Sequence, residues 1–528
     1  MSSPLHNVGS WTVRRAALGG DRLALRDDER SLDYAALDAR CARAAGWLAA
    51  RGVTFGDRVA LLLGNRTAYL ELVLATARLG AIAVPLNTRL AAPEIRELLD
   101  DCTPHVLCYE EEAEALARAA WEGARRPPPV RLAVGGRSDA YEAALARSAP
   151  RREVEPVSPD DPMILMYTSG TTGTPKGALL PHRKTFYNAL NAQLFFELCA
   201  RDCVLVPLPL FHSFGLKILS LPALYAGASI VLQRRFEPER VWQAVGEHGV
   251  TFFGGVPTQF RALYEALAEA PPGRYDVSRL RFLFTAGAAF PVDLIRAFEA
   301  RGLLLKQGFG QTETSILCCL DARDAVRKAG SVGRPVFHAE LRIVRQASLE
   351  RPVAEWKDAV AGETGEIVVR GPIAMLGYWN RPEATAETLR DGWLRTGDLG
   401  FADDEGFVTL SGRSRDLYIS GGENVYPAQV EAAYHGHPAI REIAVVGIPD
   451  ERFGEVGRAY VVLAPGAALD AEALRRFGRE RLAAFKVPRE FVAVETLPRT
   501  VTGKVQKYVL QRAGGGAAAA GPKPGELS

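Results

Sequence analysis

Residues 166–178 read MYTSGTTGTPKGA, and the purpose of this stretch decides how the rest of the chain is read. It continues an apolar run, Met163 to Tyr167, that has the length and composition of a short buried strand. A loop that only turns the chain needs one glycine, with an Asn or Pro beside it. This one carries Gly170, Gly173 and Gly177, five hydroxyl residues between Thr168 and Thr174, and Lys176. Backbone N–H groups, hydroxyl donors and a positive charge together suit phosphate. The loop is not the P-loop of nucleoside triphosphatases, because Lys176 is followed by Gly177 and not by the Ser or Thr that would hold magnesium.

Strand and helix patterns alternate on both sides of it. RVALLLG (58–64) precedes the helical TAYLELVLATARLG, which precedes AIAVPLN. After a proline-rich interruption the alternation resumes, with strands predicted at Met163–Tyr167, Cys203–Pro207, Ser229–Leu232, Val250–Phe253 and Leu280–Phe284. EPERVWQAVGEHG and PVDLIRAFEARG are helical patterns between them. Such alternation predicts parallel sheets covered on both faces, here two α/β subdomains. Beyond about residue 335 short strands and turns (GEIVVRG, GFVTLSG) predict a small β-rich subdomain. From Arg415 mixed strands and helices predict an α+β domain. The expected organisation is therefore residues 1–414, residues 415–512 and a disordered tail, 513–528, too rich in Gly and Ala to bury a core.

With 528 residues, 48% hydrophobic and 24% charged, the chain has the composition of a globular protein of more than one domain. A net charge of +2 gives no electrostatic reason to expect nucleic acid as a partner. No apolar run reaches the roughly 18 residues of a membrane span, and the N-terminus lacks a signal-peptide core. Seven cysteines without a CxxC pair read as reduced thiols of a cytoplasmic protein.

In an open parallel sheet, ligands sit beyond the carboxyl ends of the strands. After the predicted strands come the Gly/Thr/Lys loop, LPLFHSFG with His212, TAGAAF with Gly287, and KQGFGQTET with Phe309 and Glu313. An aromatic ring, a close-approach glycine, a carboxylate, a histidine and a phosphate loop describe a nucleotide site. GFGQTE fails as a dinucleotide fingerprint, since Glu313 stands where the last glycine should be.

YTSGTTGTPKGA resembles the signature loop of the adenylate-forming superfamily, which includes acyl-CoA and aryl-CoA synthetases, luciferases and amino-acid adenylation domains. LPLFHSFG, AGAAF, GFGQTE, WLRTGDLG (393–400), GRSRDLYISGGENVYPAQVE (412–431) and PRTVTGK (498–504) match that family in order, across roughly residues 20–512. The resemblance implies an ATP-dependent ligase. A carboxylate attacks the α-phosphate of ATP, pyrophosphate leaves, and the thiol of CoA displaces AMP from the acyl-adenylate. It assigns Thr168, Ser169, Gly170, Thr171, Thr172, Gly173 and Lys176 to the β- and γ-phosphates. Glu313 would hold Mg²⁺, and Thr312 would contact the α-phosphate. Phe309 and Gly310, with Gly287 and Ala288, would enclose adenine; the family has Tyr where this chain has Phe309. Asp398 and Arg413 would hold the ribose. Lys504 would be the catalytic lysine, on the oxygen between acyl group and phosphate. Arg415 stands at the pivot of a domain rotation, where the family has Asp or Lys, and Gly421 and Gly422 would leave room for pantetheine. His212 would gate the acyl site from the thiol channel.

Amino-acid adenylation domains carry Asp at the position of His212, so an amino acid is disfavoured. By position, Phe214, Gly215, Gly254, Gly255 and Gly308 are candidate acyl-pocket residues, and their glycines favour a tunnel for a medium- or long-chain fatty acid. An aryl or dicarboxylic acid is the alternative, and an acyl-AMP ligase loading a carrier protein is another. Lys217, within the apolar GLKILSLPAL, is expected to run its amine out to solvent; pairing with a second substrate carboxylate is the other reading. The same scaffold also serves luciferase-type oxygenases and ATP-binding modules that have lost their chemistry, the latter opposed by Glu313, Asp398 and Lys504. Dimers are common in the family, and the residues speak neither for nor against a homodimer.

Overall fold

The computed structural model describes residues 2–168, 175–287, 290–420, 423–499 and 505–514. These group into two compact units: residues 1–341 with 369–395, and residues 342–368 with 396–528.

The first unit holds two α/β sheets. In one, the order is Gly377–Tyr378, Lys176–Pro181, Pro162–Thr168, Ile82–Pro85, Arg58–Leu62, Val106–Glu110 and Val130–Val134. Its inner pairs are parallel, and Pro162–Thr168 with Lys176–Pro181 forms an antiparallel hairpin in which Thr168 stands opposite Lys176. The signature loop therefore closes a hairpin. Helices Ala92–Cys102 and Glu114–Glu122 cover one face, burying Leu62, Val84, Leu107 and Trp121.

The other sheet runs Arg334–Pro335, Ser315–Cys319, Leu305–Gln311, Phe282–Thr285, Phe252–Gly255, Cys203–Val206, Ser229–Leu232, Leu23–Arg26 and Ser31–Asp33. Helices Pro238–His248, Pro257–Glu269 and Val292–Glu299 pack on it around Trp242, Phe253, Phe260 and Phe298. Proline opens the first two of these helices, where no N–H is needed, and Gly249 ends the first at φ +61. Cys203–Val206 lies between Ser229–Leu232 and Phe252–Gly255, so the winding reverses there, and in open sheets of this kind ligands bind beyond the strands' carboxyl ends at such a point.

Several strand expectations are corrected. Val250–Phe253 is observed as Phe252–Gly255, and Leu280–Phe284 as Phe282–Thr285. GFGQ, expected in a loop, belongs to Leu305–Gln311, which turns back as Ser315–Cys319. Glycine normally weakens a strand, but here the strands need it. A Cβ at Gly310 would stand 1.9 Å from the Ser315 carbonyl oxygen, and one at Gly308 would stand 2.6 Å from the Phe284 ring.

In the second unit, Trp393–Ala402 pairs antiparallel with Val408–Arg413, with Asp398 opposite Arg413. A further sheet, Glu423–Val425, Tyr418–Ser420, Gly454–Leu463 and Ile440–Asp450, has Glu490–Ala493 added parallel to Gly454–Leu463. Helices Pro427–Tyr434 and Ala471–Arg479 bury Tyr418, Tyr434, Val461 and Phe491 against one face. The last helix spans Lys507–Gly514, which is two residues into the segment expected to be tail. Among the described residues no helix is long and apolar enough to cross a membrane, and six of the seven cysteines are buried as free thiols.

Candidate active site

Ser169, Gly170, Thr171, Thr172, Gly173, Ala288, Gly421, Gly422 and Lys504 lie outside the described residues. Both strand ends that carry the signature loop are described. Thr168 donates its hydroxyl to the Lys176 carbonyl at 3.2 Å, which pins the mouth of the hairpin. The Lys176 ammonium lies over the Tyr378 ring, 5.4 Å from its centroid. The Tyr378 hydroxyl donates to Glu313 Oε1 at 2.9 Å, and Met375 N–H donates to the Glu313 carbonyl at 2.9 Å. One side chain, Tyr378, thus joins the cation of the phosphate loop to the carboxylate expected to hold Mg²⁺.

Sequence reasoning missed Tyr378. It follows Gly377, which sits at φ +148, and it lies on a two-residue strand that pairs with Lys176–Pro181. The GY pair in MLGYWN was the available signal.

The described residues contain no group of three or more His, Cys, Asp or Glu side chains arranged to hold a metal ion. Glu313 therefore fits an ion that arrives with its phosphates, which is how Mg²⁺ binds when one carboxylate and the substrate share it. Phe309 is buried and Thr312 half-buried beside it. At Gly287, φ is +93, and among the described residues a Cβ would meet only Val256 Cγ1, at 3.9 Å, a position where bare backbone can approach a flat ligand closely.

His212 follows the strand at which the winding reverses, its ring 4.7 Å from that of Phe211. The preceding loop is fixed by buried Asn65, which donates to the Leu208 carbonyl at 2.8 Å and accepts from Leu210 N–H at 2.8 Å. Phe214 to Ser220 then forms a π-helical turn, a widened geometry frequent at functional sites. Gly215 lets this turn fold back, since a Cβ there would stand 2.6 Å from the Pro209 carbonyl oxygen.

The space above the pocket glycines is filled. A Cβ on Gly254 would stand 2.8 Å from the Phe214 ring, and Gly255 faces Phe260. Phe214 and Phe284 meet edge to face with centroids 5.7 Å apart. These glycines make room for protein rings, which corrects the expectation that they open an alkyl tunnel. Phe284, 1% exposed, was not singled out from the sequence because nothing local marks its strand's partner.

Lys217 is also a correction. Its side chain does not reach solvent: the residue is 0% exposed and its amine donates to Thr185 Oγ1. Burial pushes this lysine down to about 7. The π-helical turn directs the residue inward, against helix His182–Phe196.

In the second unit, Arg413 Nε lies 3.0 Å from Asp398 Oδ1, and Asp398 is buried. Arg415 lies 3.6 Å from Asp416; burial first, and then Arg413, lowers its proton affinity.

Two family models match, "AMP-binding enzyme" over residues 13–379 and "AMP-binding enzyme C-terminal domain" over residues 429–504. A feruloyl-CoA synthase of Amycolatopsis sp is 42% identical over 96% of this chain and 98% of its own. The long-chain-fatty-acid–CoA ligase FadD13 of Mycobacterium tuberculosis is 35% identical over 96% of this chain and 98% of its own. The solved o-succinylbenzoate-CoA synthetase of Bacillus subtilis, in complex with its acyl-adenylate intermediate, superposes with a TM-score of 0.84. It is 32% identical, covering 95% of this chain and 98% of its own. This chain belongs to the AMP-binding enzymes, the adenylate-forming superfamily. Within it, the protein is an AMP-forming acid–CoA ligase that uses ATP, Mg²⁺ and CoA.

Proposed function

We propose that the acid is aromatic, an aryl or arylalkenoic carboxylate, and that its ring is bound beside His212. The observation that carries this reading is the half-buried Phe214 ring, two residues beyond His212 and held over Gly254 with Phe284 edge-on behind it. Walls of this kind suit a flat ring stacked or set edge-on. The feruloyl-CoA and o-succinylbenzoate relatives support the same choice. A medium- or long-chain fatty acid is the second reading, favoured by the FadD13 likeness.

The residue roles follow the chemistry. The first step brings two anions together, so charge must be neutralised and the carboxylate aligned. Thr168, Lys176 and the loop between them hold the β- and γ-phosphates. Glu313 would hold Mg²⁺, which when bound would supply positive charge against the phosphates. Phe309 and the Gly287 backbone enclose adenine, and Asp398 accepts from the ribose hydroxyls with Arg413 at its side. Lys504 stabilises the oxygen between acyl group and phosphate. For the second step the segment beyond Arg415 rotates, His212 shifts to open the thiol channel, and Gly421 and Gly422 admit pantetheine.

The test is AMP and pyrophosphate release from ATP and Mg²⁺ over a carboxylate panel, with and without CoA. The panel runs from acetate to long-chain fatty acids and includes benzoate, cinnamate, ferulate and malonate. CoA-dependent turnover confined to the aromatic acids is the expected result. Turnover confined to fatty acids selects the second reading, and one turnover regardless of CoA points to a carrier-protein thiol.

A further inference from the structure

Behind the residues assigned to substrate lies a buried polar network that none of these steps uses. Helix His182–Phe196 starts directly after the returning strand of the signature hairpin. It turns Lys184, Thr185 and Asn188 inward, none more than 2% exposed. Between them they hold two elements, strand Ser315–Cys319 and the turn Phe214–Ser220. Lys184 Nζ is bonded to Ser315 Oγ, Thr185 Oγ1 receives the amine of Lys217, and Asn188 accepts from Ile316 N–H at 3.3 Å. Asn188 also donates to the Lys217 carbonyl at 2.6 Å. Among the described residues no carboxylate forms an ion pair with Lys184. Burial holds its amine well below the usual lysine range; Lys217 pushes the same way and Glu313 opposes.

A lysine this deep is costly unless it secures something, and the group it secures is unusual. Ser315 has φ +62, a left-handed conformation uncommon outside glycine that persists only where its surroundings enforce it. Ser315 ends the tight turn from Gln311, in which Gln311 N–H donates to Thr314 Oγ1 at 3.1 Å and Thr314 N–H to the Gln311 carbonyl at 3.2 Å. Thr312 and Glu313 sit on that turn. On its other side, Met375 and Tyr378 hold Glu313.

We propose that Lys184 is a positioning residue for the ATP-dependent step: by holding Ser315 Oγ, it fixes the turn that presents Thr312 and Glu313 to the magnesium nucleotide. The inference rests on the Mg²⁺ role proposed for Glu313. Lys184 touches neither substrate nor metal. It ties the turn to the helix that continues the phosphate-loop hairpin, so the two phosphate-binding elements keep one spacing. A polar tie suits this better than an apolar contact, because a hydrogen bond fixes direction as well as distance.

The test is pyrophosphate release against Mg²⁺ concentration for wild type, Lys184→Met, Lys184→Gln, Ser315→Ala and the Lys184→Met/Ser315→Ala double variant. Glu313→Gln is included, and each variant's melting temperature is recorded. Loss of an outer-shell partner weakens metal affinity about tenfold or more, so Lys184→Met should raise the half-saturating Mg²⁺ by about tenfold. Thioester formation from supplied acyl-adenylate should change far less. Ser315→Ala should match Lys184→Met, and the double variant should be no worse than either, since both remove one shared interaction. Lys184→Gln, whose amide can still donate, should recover most of the loss. A lysine that only fills space would instead lower the melting temperature and both half-reactions in proportion, with no rescue by Gln, and that result overturns the proposal. So does an unchanged Mg²⁺ curve for Ser315→Ala and Lys184→Met alongside a displaced one for Glu313→Gln. If Glu313→Gln itself leaves the curve in place, the role of Glu313 falls and this inference falls with it.

Discussion

A buried lysine is a pH-dependent liability, and Lys217 is one. Its side chain is enclosed with Lys184 and His182 close enough to feel its charge, and the amine titrates near 7 in place of 10.5. Between those values the unfolded chain carries a proton on Lys217 that the folded protein lacks. Stability therefore rises with pH through that window, by at most about 1.4 kcal/mol per unit. Below it both states are protonated and the penalty is constant. Lys217→Met removes the titration, so the stability of wild type relative to the variant should climb steadily from pH 7 towards 10. Denaturant unfolding of both proteins across that range measures it; a flat difference would mean the amine keeps its proton when folded. Sequence could not show this residue's depth. GLKILSLPAL is apolar on either side of Lys217, a pattern equally suited to an amine that escapes along the surface. What encloses it is helix His182–Phe196, remote in sequence, together with a π-helical turn that shifts the register. Tyr378 was hidden for a similar reason, since its partners Lys176 and Glu313 come from distant segments.

At the scale of single elements, the strands show why some of the site was legible and some was not. The phosphate loop, the histidine loop and the GFGQTE segment could be placed in order because each has a dense local composition that ordinary turns do not need. Strand ends were less legible, because whether GG or GFG is strand or loop depends on what packs over it. Phe214 and Phe284 lie over Gly254 and Gly308, so a side chain at either strand position would collide with a ring. The relation can be tested in both directions. Gly308→Ala puts a methyl group 2.6 Å from the Phe284 ring and should cost about 1–3 kcal/mol by overpacking. Phe284→Ala leaves a cavity and should cost about 3–5 kcal/mol. In the double variant the methyl occupies part of that cavity, so the combined loss should fall short of the sum by about 1 kcal/mol. Chemical denaturation of the four proteins completes the cycle. The Phe284→Ala variants should also accept longer acids than wild type in the pyrophosphate assay. Additive costs with unchanged acid preference would separate Phe284 from the acyl site.

For the whole molecule, the decisive matter is that one chain runs two reactions with different needs. On the roles proposed above, adenylation needs a cation at the oxygen joining acyl group and phosphate, and thioester formation needs that position cleared and a thiol admitted. Chain order suggested a division at Arg415, whereas compactness groups residues 342–368 and 396–414 with the C-terminal segment. The two need not coincide, because a pivot is where dihedrals change and a compact unit is where contacts concentrate. Lys504→Ala should therefore abolish pyrophosphate release and spare thioester formation from supplied acyl-adenylate; equal loss of both would remove Lys504 from the first step. Arg415→Pro should do the reverse. Proline locks φ near −65° and removes the N–H, so residue 415 could no longer absorb a large backbone rotation. A single round of adenylation should proceed at close to the wild-type rate, with thioester formation slowed about 100-fold as rotation becomes limiting. Arg415→Lys, which keeps both charge and a free φ, should resemble wild type and so exclude loss of the Asp416 ion pair as the cause. Rapid-quench measurement of acyl-adenylate and of thioester, each in a single turnover, distinguishes the outcomes. If Arg415→Pro slows both steps alike, the substitution has damaged the strand that ends at Arg413, and the pivot lies elsewhere in the chain.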